Sequence, residues 1–69
     1  MDLRSPGVGK VLRIDIAPGA QVARGQELMV IESMKVEIPI KASATGMVRE
    51  LTVKVGDLVA RNQVLARIE

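Results

Sequence analysis

The sharpest hydrophobic pattern in the chain is an alternation: Val36, Ile38, Ile40 and Ala42 stand against Glu37, Pro39, Lys41 and Ser43. A period of two over this length is that of a strand with one buried face. Pro39 has no N–H for a ladder bond, so this strand belongs at a sheet edge. Elsewhere the apolar positions do not alternate so cleanly. Val11 and Ile14 are three apart, and so are Leu28 and Ile31. A regular strand cannot turn both members of such a pair to one face, because its side chains point to opposite faces in turn. Bulges, or short and strongly twisted strands, are therefore expected at both places.

These irregular spacings occur twice. A shift of 37 positions lays Gly9–Glu32 on Gly46–Glu69 without a gap, with ten identities among 24 aligned positions. The identical pairs include Gly9/Gly46, Val11/Val48, Gly19/Gly56, Val22/Val59, Gln26/Gln63, Leu28/Leu65, Ile31/Ile68 and Glu32/Glu69. Internal repetition within one small domain predicts two like halves related by a pseudo-two-fold axis. In each half, β segments at Gly9–Ile16 and Leu28–Glu32 (Gly46–Val53 and Leu65–Glu69 in the mate) flank turns. Pro18-Gly19 suits a turn whose glycine takes positive φ. The exchange of Gly25 for Asn62 predicts a left-handed conformation at both, since these residues tolerate it best. Gly46 is read as a turn residue alongside Gly19, Gly25 and Gly56. Met1–Val8, with Ser5-Pro6-Gly7, is read as an N-terminal linker, leaving residues 9–69 as the single domain.

Leu28–Glu32 followed by Val36–Ala42 makes a β-hairpin whose tip is Ser33-Met34-Lys35. By the repeat, Glu32 corresponds to Glu69, so the tip and the C-terminus should lie at opposite poles. Lys35 thus occupies the one turn without a counterpart. It follows a Met, which a solvated turn has no reason to carry. Glu32 and Glu37 bracket it, and the usual turn Gly or Asn is missing.

Composition narrows the chemistry. The apolar content is Val, Ile, Leu, Ala and Met, with no aromatic residue, which reads as all-β. Sixty-nine residues make one domain with a small core. Cys and His are both absent, so there is no thiol nucleophile, no usual metal ligand set and no imidazole base. The net charge of +2 is dispersed among acids, and without aromatics there is no stacking platform for nucleic acid. No apolar run would span a membrane. The N-terminus has no signal-peptide pattern, so a cytoplasmic location is expected.

Glu32-Ser33-Met34-Lys35-Val36-Glu37-Ile38-Pro39 resembles the attachment motif of biotinyl domains, whose usual core is Ala-Met-Lys-Met. Gly9-Lys10-Val11, Gly19-Ala20-Gln21-Val22, Gly25-Gln26, Gly46-Met47-Val48 and Val53-Lys54-Val55-Gly56-Asp57 extend the likeness over Gly9–Glu69. The resemblance implies a flattened barrel-sandwich of two four-stranded antiparallel sheets. It implies that a biotin protein ligase joins biotin to the Lys35 amine, through biotinyl-adenylate, and that Lys35 is the cofactor-binding residue. Met34 and Val36 would either be read by the ligase or fill a small apolar patch.

The holo domain would carry carboxybiotin between biotin carboxylase and carboxyltransferase sites as a monomeric, non-catalytic carrier. Lipoyl domains share this fold but usually place Asp before the lysine, so Met34 favours biotin over lipoate. Val36 departs from the biotinyl Met and is acceptable in a lipoyl hairpin, and Ser33 departs from the biotinyl Ala but keeps a small residue there. An unmodified barrel-sandwich that makes protein contacts is the third reading. There is no room for the extra thumb loop of some bacterial biotinyl domains.

Overall fold

The 37-residue repeat is carried into the backbone strand by strand. A computed structural model describes residues 1–69 as eight strands with no helix. These are β1 (Asp2–Arg4), β2 (Gly9–Ile14), β3 (Gln21–Val22), β4 (Glu27–Ser33), β5 (Val36–Lys41), β6 (Gly46–Leu51), β7 (Leu58–Val59) and β8 (Val64–Ile68). They form two antiparallel four-stranded sheets, ordered β5-β4-β2-β7 and β1-β8-β6-β3. The shift turns one order into the other. Each sheet also borrows its short strand from the opposite half: β7 pairs with β2, and β3 with β6.

The core between the sheets is duplicated almost pair by pair. Val11/Val48, Val22/Val59, Leu28/Leu65, Ile31/Ile68 and Leu3/Ile40 are all buried. The odd spacings are resolved by bulges at equivalent places. The β2–β4 register slips between Val11 and Arg13, and the β6–β8 register between Val48 and Glu50, so Leu12 and its mate Arg49 are the extra residues. A second slip skips Leu28 against β5, and its mate skips Leu65 against β1. The extra residue lets Leu28 and Ile31, three apart, both reach full burial.

Two expectations fail. Met1–Val8 is not simply a linker, because Asp2–Arg4 pairs with β8 and Leu3 enters the core. The Met1 ammonium donates to the Ile68 carbonyl at 2.6 Å, and the Ile68 N–H donates back to Met1 at 2.8 Å. Three residues are too few to display an alternation, yet extending the repeat leftward sets Leu3 on Ile40 and Arg4 on Lys41. Gly46 is not a turn residue either. It opens β6, as Gly9 opens β2, and both lie where chains crowd. A Cβ on Gly9 would sit 2.6 Å from the Glu32 carbonyl oxygen and 2.6 Å from Ile31 Cγ2, and one on Gly46 would meet Glu69 more closely still.

Other expectations hold. Gly25 (φ 85°) and Asn62 (φ 67°) are both left-handed. Their N–H groups donate to the equivalent carbonyls of Ala42 and Ser5, each at 2.8 Å. The repeated Gln26 and Gln63 accept from the Ala23 and Ala60 N–H, each at 2.9 Å, closing the same turn twice. β5 is an edge strand and so accommodates Pro39. The hairpin tip and the C-terminus belong to different sheets, at positions the repeat makes equivalent.

Gly9→Ala and Gly46→Ala should each lower unfolding free energy by about 2 kcal/mol or more, because backbone as well as a buried isoleucine must give way. Asn62→Gly should change it by less than ~0.5 kcal/mol, since glycine accepts the same φ. Urea denaturation of the three variants checks both statements, and a stable Gly46→Ala protein would contradict the first.

Candidate functional site

The hairpin between β4 and β5 is closed by the pair Ser33 and Val36, leaving Met34 and Lys35 as a two-residue turn. Both have positive φ, 52° and 64°. Left-handed conformation at both central residues is the mark of a type I′ turn, whose twist matches that of the flanking strands. Such turns ordinarily use Asn-Gly. Here two residues with full side chains are held there, and for L-residues that conformation costs roughly 1–2 kcal/mol each.

The side chains at the tip are open to solvent. Pairing of β2 with β4 stops at Lys10 and Glu32, so Ser33 to Val36 extend past the ladder on that side. The face Val36–Ala42, expected to be buried, is therefore buried only in part. Ile40 and Ala42 are in the core, Ile38 is half-buried and Val36 is 59% exposed. Met34 is 93% exposed, so packing within the domain does not explain it. Lys35 is exposed, and no ion pair of the structure includes it. Glu32 and Glu37 face each other across the hairpin and are likewise outside the ion pairs.

One contact anchors the base of the turn. The Ser33 hydroxyl donates to the Val8 carbonyl at 2.7 Å, joining the hairpin to the loop before β2. Beside it, Val8 (71% exposed) and Leu58 (80%) bring two more apolar side chains to the surface. Neither stood out in the sequence, because the two belong to different halves and meet only through the pairing of β7 with β2. The signal available was their exchange for polar residues in the repeat: Val8 aligns with Thr45, and Leu58 with Gln21. Five surface ion pairs lie elsewhere, among them Arg49 with Glu69 at 3.0 Å, and none of them includes a lysine. Arg13 is held protonated above its ordinary range by Asp15, which bonds it, with help from Glu27.

Residues 1–68 match the family described as "Biotin-requiring enzyme", the biotin/lipoyl domains. The chain belongs to the biotin/lipoyl domain family. Within it, the chain is 37% identical over 67 residues to the biotinylated protein TB7.3 homolog of Mycobacterium leprae, covering 97% of this chain and 94% of that one. It is 40% identical over 67 residues to the mitochondrial propionyl-CoA carboxylase alpha chain of Homo sapiens, covering 97% of this chain but 9% of the human protein.

Among solved structures, the urea carboxylase of Kluyveromyces lactis superposes with a TM-score of 0.92 at 30% identity, over all of this chain and 6% of that enzyme. The lipoyl domain of the 2-oxoglutarate dehydrogenase complex from Azotobacter vinelandii superposes with a TM-score of 0.86 at 27% identity, over all of this chain and 95% of that domain. This biotin/lipoyl domain thus matches small proteins nearly end to end and large carboxylase chains over a small part.

Met34→Asn should raise unfolding free energy by about 0.5–1 kcal/mol, since Asn is favoured at the first central position of a type I′ turn. In a domain of this size that is a rise in Tm of a few degrees. Calorimetry measures it; an unchanged or lower Tm would mean that the tip is not strained.

Proposed function

We propose that this chain is a biotin carboxyl carrier domain in which Lys35 takes the cofactor and Met34 and Val36 are the flanking residues that a biotin protein ligase reads. The observation that carries this is a lone, unpaired lysine at the second central position of a type I′ hairpin, in a chain of the biotin/lipoyl family. The residues present fit the group. The amine is exposed with no carboxylate pairing it, and the side chains on either side of it lie open to a visiting enzyme. Biotin, when attached, supplies a ureido nitrogen that can bear a carboxyl group.

The chain's own part is mechanical. The left-handed pair at the tip holds the Lys35 backbone in one conformation, and the Ser33–Val8 bond braces the turn's base. A cofactor tethered in this way meets successive active sites at high effective concentration. The domain itself contributes no catalytic residue. Its partners are the ligase, a biotin carboxylase and a carboxyltransferase, as domains or subunits, and it works in the cytoplasm as a monomeric unit.

The likeness to a lipoyl domain keeps lipoate as the second candidate. Met34 speaks against it, because lipoyl domains usually carry Asp there. The biotinylated relative and a biotin-dependent acyl-coenzyme A carboxylase subunit, both of Mycobacterium leprae, favour biotin.

Co-expression with biotin protein ligase and excess biotin should add one biotinyl group to the intact mass, and Lys35→Arg should abolish the gain. A gain only with lipoate ligase would replace biotin by lipoate, and a gain with neither would refute the carrier role. Met34→Asp should slow biotinylation at least tenfold, about 1.4 kcal/mol at the transition state; an unchanged rate would remove Met34 from the recognition set.

A further inference from the structure

Alongside the hairpin runs an open groove of about 500 Å³. Val8, Met34 and Leu58 supply its apolar surface, and Lys10, Glu32 and Ser33 its polar groups. Isolated exposed aliphatics need no explanation, but a cluster of them beside polar groups marks a binding surface.

The repeat supplies an internal control. The equivalent place in the other half carries Thr45 for Val8, Gln21 for Leu58 and Met47 for Lys10, with Glu69 matching Glu32. The backbone there is the same, as β3 pairs with β6 in the way β7 pairs with β2. The core is likewise duplicated, so the fold does not require apolar residues at positions 8 and 58. An exposed aliphatic pair with a lysine beside it occurs only in the half that bears the attachment lysine, the other half having Thr45, Gln21 and Met47 there.

We propose that this groove is a resting site for the group that Lys35 carries, with the bicyclic ring of tethered biotin folding back onto Val8 and Leu58 and its ureido edge meeting Lys10 and Glu32. The inference rests on the carrier role proposed above. The chemistry is complementary. A ureido group has one carbonyl acceptor and two N–H donors; an ammonium donates to the first, and a carboxylate accepts from the second. The Ser33 hydroxyl, which lines the groove, spends its proton on Val8 and so can act there only as an acceptor. The ring's thioether side is apolar and suits the aliphatic pair. Lys35 follows Met34 directly, and the long arm is flexible, so the ring needs no rearrangement of the domain to arrive.

Weak contact suffices. A short tether gives an effective concentration in the millimolar range, so a site of roughly millimolar intrinsic affinity is occupied about half the time. Such a site shelters the ring between visits and releases it at little cost to a partner's pocket.

The test uses the holo domain, prepared with biotin protein ligase and checked by intact mass. No mass gain would overturn the carrier role and this proposal together. With the gain in hand, methyl NMR on the ¹³C-labelled protein decides the proposal by itself. Expected are shift changes at the Val8 and Leu58 methyls relative to the apo domain, with NOEs from them to biotin ring protons. The double variant Val8→Thr/Leu58→Gln installs residues that the other half already tolerates. It should keep the apo positions of the Val11 and Leu65 core methyls and lose every ring NOE. Shift changes confined to Met34, Lys35 and Val36 would overturn the proposal. So would slower biotinylation of the double variant with no ring NOE in the unmodified sequence, which would assign the patch to the ligase.

Discussion

Everything in this domain depends on a reciprocal exchange of backbone hydrogen bonds between its halves. The Val11 N–H donates to Asp57 at 2.9 Å and the Val11 carbonyl accepts from Gly56 at 2.8 Å. The mates repeat this: the Val48 N–H donates to Ala20 at 2.8 Å and the Val48 carbonyl accepts from Gly19 at 2.7 Å. Each half thereby completes the other's sheet. Neither half completes its own share of the core, since Val59 and Val22 join the sheets of Val11 and Val48 from across the pseudo-axis. A chain this short buries too little surface for independent subunits, so folding of the halves is obligatorily joint.

The parts of the fold legible in sequence were those that occur twice. The paired three-residue spacings implied bulges before any pairing was known, and the Gly25/Asn62 exchange disclosed a left-handed turn. What escaped was either too short or too distant. β1 has three residues and no room for a pattern, although its counterpart in β5 was the most legible strand of all. Gly46 looked like punctuation because sequence does not distinguish a glycine needed for φ from one needed for clearance. Lys35 was legible as the odd residue of an otherwise symmetric chain. Its backbone conformation was not, because Met34-Lys35 lacks the residues that usually announce a type I′ turn. Val8 and Leu58, 50 positions apart in sequence, meet only through strand exchange.

Strain and exposure are concentrated where the duplication breaks. Elsewhere, positive φ falls on glycine or asparagine, and apolar side chains are mostly packed. At the tip, two non-glycine residues are left-handed, one large apolar side chain is almost wholly in water, and two carboxylates face each other. Local conflicts of this kind persist at functional sites because the surrounding structure is redundant enough to hold them. Here the redundancy is literal: the opposite pole shows the same scaffold without the conflicts.

The pairing of Met1 with Ile68 carries a mechanical consequence. Because β1 and β8 are antiparallel, the two chain ends emerge side by side from one edge. A force applied through them would open that edge like a zipper, parting one hydrogen bond after another, instead of shearing a whole ladder at once. Tension on the ends would reach the second sheet first and leave the hairpin's own sheet, with Lys35, the last to feel it.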